Sequence, residues 1–250
     1  MPIHLEGVTL HPERYPTREA YPFSLPVFQT MGELALDAPV TCFVGENGTG
    51  KSTLLEAIAR RCRIHIWRRE ARTRYERNPH EERLHLCMDL AWADGPVPGS
   101  FFASQTFRHF ARLLEEWAAA DPGQLTHFGG RSLLTQSHGQ SLMAFFRSRY
   151  ARRGLYLLDE PETALSPRTQ VDLVRLLRDA GRDGQAQFIV ATHSPILLAC
   201  PGARLYSFDR APVAPVRYEN TPQVRVTRAF LADPGRFLDG EDPGGAASGG

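Results

Sequence analysis

One stretch restricts the fold of this chain more than any other: Val40-Thr41-Cys42-Phe43-Val44, then a glycine-rich run from Gly45 to Thr53, then Leu54, Leu55, Ile58 and Ala59 at helical spacing. A short buried strand, a loop and an amphipathic helix in that order predict an α/β unit with the loop at the strand's C-terminal end. Within the loop, Gly45-Glu46-Asn47-Gly48-Thr49-Gly50-Lys51-Ser52 sets two glycines five apart ahead of Lys and Ser. Glycines let the backbone turn its N–H groups inward around phosphate oxygens, and the helix N-terminus adds the positive end of its dipole. In such a loop Lys51 reaches the β- and γ-phosphates and Ser52 binds Mg²⁺. The motif therefore predicts a nucleotide site formed by Gly45 through Thr53.

Composition sharpens this. Of the 29 basic residues, 28 are arginine and one, Lys51, is lysine. A genome biased toward arginine codons explains the depletion, and the surviving lysine stands where a wide, planar guanidinium does not fit. The 28 acidic residues leave a net charge of +1, which removes any global electrostatic argument for nucleic acid or an anionic membrane. Nine arginines do cluster between 60 and 83, against four glutamates. They read as a solvated insertion with mixed ion pairs, or else as a local basic surface for phosphate or an acidic partner. The four cysteines are scattered and read as free thiols in a reducing compartment. His80, His85 and Cys87 lack a fourth ligand for a zinc site. No segment has the run of ~20 apolar residues that spans a bilayer, and no signal peptide opens the chain, so a cytoplasmic location is expected.

With 250 residues and 42% apolar content, a single domain over 1–238 is expected, with 239–250 a disordered tail. Residues 1 to about 40, including Ile3-His4-Leu5, Phe23 to Phe28 and Leu34-Ala35-Leu36, read as antiparallel strands. About 60–153 reads as an insertion and helical subdomain, with helices near 104–119 and 139–152. Leu155-Tyr156-Leu157-Leu158 and Gln187 to Ala191 are continuous apolar strands, and Val171 to Leu177 is an amphipathic helix between them. That alternation predicts a mostly parallel sheet covered by helices on both faces. Asp159 and Glu160, directly after the first of those strands, are suited respectively to the Mg²⁺ shell and to polarising an attacking water.

Taken together, these segments resemble the ATP-binding-cassette ATPases. Asp159-Glu160-Pro161-Glu162, Ala164-Leu165-Ser166-Pro167 and Ala191-Thr192-His193-Ser194-Pro195 look like that superfamily's Walker B, D-loop and switch-histidine segments. The match is closest to the small soluble ATPases related to SMC and RecF proteins, often described as AAA-family or ABC-type. Gln136-Ser137-His138-Gly139-Gln140-Ser141, with Ser137 22 residues before Asp159, is similar to the signature motif. It departs at Gln136 and His138, and Ser166 stands where many D-loops have aspartate.

The resemblance implies a P-loop fold of ABC-ATPase type and ATP with Mg²⁺ as ligands. It also implies a head-to-tail homodimer that sandwiches two ATPs. Lys51, Glu160 and His193 would be catalytic, and Ser137 and Gly139 would touch the partner's nucleotide. Gln105 is the first candidate for the Q-loop glutamine and a metal contact, with Gln124 and Gln136 as alternatives. Tyr15, Tyr21, Phe23 or Arg14 could stack on adenine.

Three functions fit: a cytoplasmic switch ATPase, acting on DNA or with a defence or repair partner; the ATP-binding subunit of a transporter with a separate permease; and a signalling module that hydrolyses little. The 31 residues between Gln105 and Ser137 are few for a permease-gripping subdomain, and the 83 between Thr53 and Ser137 are too few for a long coiled coil. The switch is the expected function.

Overall fold

The computed structural model describes residues 3–66, 78–106, 116 and 138–238. Its core is a six-stranded sheet: β3 (Val40–Val44), β5 (Gly99–Ala103), β6 (Gly154–Asp159), β7 (Ala186–Ala191), β8 (Arg204–Ser207) and β9 (Ala214–Pro215). The order is β5-β6-β7-β3-β8-β9, parallel throughout except for β9. A second, antiparallel sheet has the order β2-β1-β4, from Glu33–Ala35, Leu5–Leu10 and Met88–Trp92.

The continuous apolar strands are explained by burial on both faces. Val40, Cys42, Val44, Tyr156, Leu158, Phe188 and Val190 point into one core, while Phe43, Leu155, Leu157, Ile189 and Ala191 point into the other. Successive side chains of a strand alternate between faces, so both parities must be apolar. The first core is closed by α3 (His138–Tyr150) and α4 (Pro167–Arg182), the second by α2 (Lys51–Arg61) and the antiparallel sheet. Short helices α1 (Pro26–Thr30), α5 (Pro195–Leu198), α6 (Pro222–Ala232) and α7 (Pro234–Leu238) complete the elements used below.

Gln187 is a fully buried polar residue in the middle of this apolar interior. Its Oε1 accepts from the backbone N–H groups of His4 (3.0 Å) and Leu5 (2.7 Å), and its Nε2 donates to the carbonyls of Leu5 (2.8 Å) and Leu36 (3.4 Å). One side chain on β7 thereby satisfies the backbone of the antiparallel sheet where the two sheets meet. Leucine would leave these groups buried and unpaired, at about 1–3 kcal/mol for each orphan. Gln187→Leu is expected to lower unfolding stability by about 3 kcal/mol or more, measured by denaturant titration.

One sequence expectation is corrected. Phe23 to Phe28 is not a strand: it is a turn running into α1, with Pro26 at the first helical turn, where its fixed φ and missing N–H suit a helix start. Within 60–153, β4 joins the antiparallel sheet and β5 the parallel one. Most of the helix expected near 104–119, the arginines 68, 69, 72, 74 and 77, and the tail 239–250 lie outside the described residues. Of the remaining arginines in the cluster, Arg60 pairs with Glu82 at 3.1 Å and Arg61 with Asp89 at 3.1 Å.

Candidate functional site

Because β5, β6, β7, β3 and β8 run parallel, their C-terminal ends lie along one edge. The register aligns Ala103 with Asp159, Asp159 with Ala191, Ala191 with Phe43, and Phe43 with Tyr206. The loops after β3, β6 and β7, which carry the glycine run, Asp159-Glu160 and His193, leave this edge, the place where open α/β sheets bind ligands.

The glycine loop leaves β3 and enters α2. Gly50, at φ 101°, is the helix N-cap, and a Cβ there would lie 2.9 Å from Phe28 Cζ and 3.1 Å from Leu25 Cδ1. Glycine is therefore required both for the left-handed turn and for the close approach of α1. Lys51 is 5% exposed, and its Nζ donates to the carbonyls of Gly45 and Glu46, both at 2.7 Å. Burial lowers the pKa of its ammonium, opposed by the carboxylates of Glu160, Asp209, Asp159 and Glu46. The Thr49 hydroxyl donates to the Glu46 carbonyl at 2.9 Å, closing the loop, while Glu46, Asn47 and Gly48 are exposed.

Across the edge, the Ser52 hydroxyl donates to Asp159 Oδ1 at 2.8 Å. Burial pushes Asp159 up to about 7; the Ser52 bond opposes this, and Glu160, Glu56 and Glu162 nearby reinforce it. A buried carboxylate bonded to a serine hydroxyl is a pair of oxygen donors that suits a hard divalent cation. Ser52 and Asp159 therefore fit the Mg²⁺ expected from the sequence. Glu160 follows in the left-handed region at φ 46°, a conformation that costs a non-glycine residue energy. Its backbone N–H donates to the Ala191 carbonyl at 2.9 Å, and its Oε1 lies 3.9 Å from His193 Nε2. The two motif side chains, 33 residues apart in sequence, thus lie side by side.

Other expected residues are placed less closely. Gln105 is exposed, two residues beyond Ala103, which pairs with Asp159. Gly139 lies in the first turn of α3, where a Cβ would face the Ala164 carbonyl at 3.6 Å and Leu165 at 3.9 Å. Gln124, Gln136 and Ser137 lie outside the described residues. Of the aromatics considered for adenine, Phe23 is buried against Tyr15, whose hydroxyl donates to the Phe28 carbonyl, so both are packing residues. Tyr21 is 41% exposed, with its hydroxyl 2.6 Å from Thr53 Oγ1. Beside it is a cleft of about 160 Å³ lined by Ser52, Thr53, Glu56, Arg60 and Glu81 among others. Two larger grooves, about 710 and 560 Å³, lie around β8 and α6, and neither is lined by Lys51, Asp159 or His193.

One residue that buttresses the site escaped sequence reasoning. Asp209, just past β8, accepts the Glu46 N–H at 2.7 Å through Oδ1, and Ser207 Oγ donates to its Oδ2 at 3.3 Å. It holds the first half of the glycine loop against β8. An isolated aspartate after a short strand carries no signal of this, because the contact spans 163 positions of chain.

Residues 133–199 match a family model described as an AAA domain, a description that also names the AbiEii toxin and a type IV toxin–antitoxin system; residues 28–60 match a second AAA-domain model. The ferric enterobactin transport ATP-binding protein FepC of Escherichia coli K12 is 28% identical over 161 residues, covering 59% of each chain. The thiamine import ATP-binding protein ThiQ of Cereibacter sphaeroides is 29% identical over 231 residues, 81% of this chain and 91% of that one. The matches to FepC and to the hemin import ATP-binding protein HmuV of Bradyrhizobium diazoefficiens span about 60% of those relatives' lengths. Among solved structures, CbiO1 of Clostridium perfringens, part of the transporter complex CbiONQ, superposes with a TM-score of 0.53 at 13% identity over 95% of this chain and all of that one. That likeness concerns the fold. Among the described residues, no helix is long and apolar enough to cross a membrane.

Proposed function

We infer that this chain, a P-loop ATPase of the ABC type, binds and hydrolyses Mg-ATP at the interface of a head-to-tail homodimer and works as a nucleotide-driven switch. The single observation carrying this is the convergence of Ser52, Asp159, Glu160 and His193 on the sheet edge beside Lys51.

The chemistry follows from the residues. Loop N–H groups and the α2 N-terminus receive the phosphates, and Lys51 supplies the compact positive charge that leaves the Gly45 and Glu46 carbonyls for phosphate oxygens. Mg²⁺, held through Ser52 and Asp159, with Gln105 a further contact, would supply charge neutralisation at the β- and γ-phosphates. Glu160 accepts the proton of the attacking water, and His193 orients that water and the γ-phosphate with it. Ser137 and Gly139 complete the partner's site, so that ATP joins two copies and hydrolysis releases them.

The switch reading is supported by the Asp159-Glu160-Pro161-Glu162 and Thr192-His193-Ser194-Pro195 segments and by the short stretch between Gln105 and Ser137. A second reading, the ATP-binding subunit of a transporter with a separate permease, is favoured by the names of FepC and ThiQ. Affinity capture of the chain from its native host, with Mg-ATP present, separates them. Recovery of DNA, a nuclease or another soluble effector supports the switch, and stoichiometric recovery of an integral membrane protein overturns it in favour of transport.

A further inference from the structure

The contacts between the segment after β6 and the loop after β7 hold more than the residues used above. The His193 N–H donates to Glu162 Oε1 at 2.7 Å. The next residue, Ser194, donates its hydroxyl to Gln170 Oε1 at 2.6 Å, and Gln170 Nε2 donates to the Leu165 carbonyl at 3.0 Å. Ser194 Oγ also accepts the N–H groups of Ile196 (3.1 Å) and Leu197 (3.2 Å), so its one proton is committed to Gln170. Flipping the Gln170 amide would break both of its bonds, which fixes its orientation. The loop Thr192-His193-Ser194 is therefore tied at two successive residues to Glu162 on one side and Gln170 on the other.

His193 lies at the centre of this tied loop. Among the described residues its Nε2 is buried with no hydrogen-bond partner, and Glu160 Oε1 lies 3.9 Å away. The backbone from which the ring projects is held at its N–H by Glu162. Glu162 is itself a costly residue to bury. Burial raises the pKa of its carboxyl, opposed by hydrogen bonds from the Thr192 side chain, from its own backbone and from the His193 backbone. A carboxylate kept in such a place is expected to have a use beyond packing.

We propose that Glu162 and Gln170 are positioning residues that latch the His193 loop to the 162–170 segment, so that His193 and Glu160 are brought into line together. Gly139, in the first turn of α3, faces Ala164 and Leu165 of the same segment, so displacement of that helix acts on the latch directly. This rests on the reading of Glu160 and His193 as the hydrolytic pair.

The test compares Glu162→Ala, Glu162→Gln and Gln170→Leu with wild type and Glu160→Gln, measuring Mg-ATPase kinetics, binding of a fluorescent ATP analogue, and amide hydrogen exchange at 191–198. Misplacing His193 is expected to cut kcat by about 10²-fold in Glu162→Ala while KM and analogue affinity stay within about twofold. Glu162→Gln keeps the acceptor for the His193 N–H and is expected to restore most of kcat; Gln170→Leu falls between. The His193 amide is expected to exchange about tenfold faster or more in Glu162→Ala and at the wild-type rate in Glu162→Gln.

An unchanged His193 exchange rate in Glu162→Ala overturns the latch, as does a Glu162→Gln variant no better than Glu162→Ala. If Glu162→Ala fails to fold, Gln170→Leu carries the same comparison, and wild-type kcat and wild-type exchange at Ser194 in that variant overturn the proposal. A wild-type protein without ATPase activity, or an undiminished Glu160→Gln variant, would instead refute the hydrolytic reading, and the exchange data would still decide the latch.

Discussion

Glu160→Gln is expected to bind Mg-ATP with nearly wild-type affinity while turnover falls by about 10²–10⁴-fold, the usual contribution of a positioned general base. The carboxamide is isosteric, so the backbone bond from Glu160 to Ala191 and the left-handed turn at φ 46° both persist. Only the ability to accept a proton beside His193 is lost. If ATP joins two copies and hydrolysis separates them, this variant accumulates as a dimer. Size-exclusion chromatography with saturating Mg-ATP reads that directly, and an exclusively monomeric profile would rule out the ATP-sandwiched dimer.

Lys51→Ala is expected to abolish measurable nucleotide affinity. Charge-assisted hydrogen bonds contribute about 1.5–3 kcal/mol each, so loss of two to phosphate oxygens corresponds to roughly 10²–10⁴-fold in Kd. The local field adds to this, because Glu160, Asp209, Asp159 and Glu46 act on that ammonium and would face the triphosphate unopposed. Lys51→Arg is expected to fail as well, since the loop closes around a point charge bonded to two carbonyls at 2.7 Å and a planar fork does not fit there. Isothermal titration with ATP and Mg²⁺ measures both, and wild-type affinity in Lys51→Ala would refute the phosphate-loop assignment. The chain's single lysine offers an independent check. Amine-directed labelling of Lys51 should be suppressed by Mg-ATP.

Much of this protein is local in origin and therefore readable along the chain. The 40–44 strand, the glycine turn and the helix from Lys51 are each dictated by residues within a few positions of one another. The same holds for the apolar strands ending at Asp159 and Ala191, whose two-sided burial leaves both parities apolar. Phe23 to Phe28 shows where local reading fails: an apolar run of strand length became a turn and a helix because Pro26 suits a helix start. The apolar pattern was the same for either outcome, and proline position decided it.

The sequence by itself determined the chemistry available, namely a lysine, a serine and successive carboxylates placed at the ends of elements. Only the tertiary structure decided their company. Parallel register set Asp159 beside Ala191 and Ala191 beside Phe43, which put Ser52 within 2.8 Å of Asp159 across 107 positions of chain. Asp209 against Glu46, Gln187 across two sheets and Glu162 under His193 have no periodic or spacing signature. Each is a single polar side chain satisfying a distant backbone group, a relation that exists only once the fold has brought that group within hydrogen-bond reach.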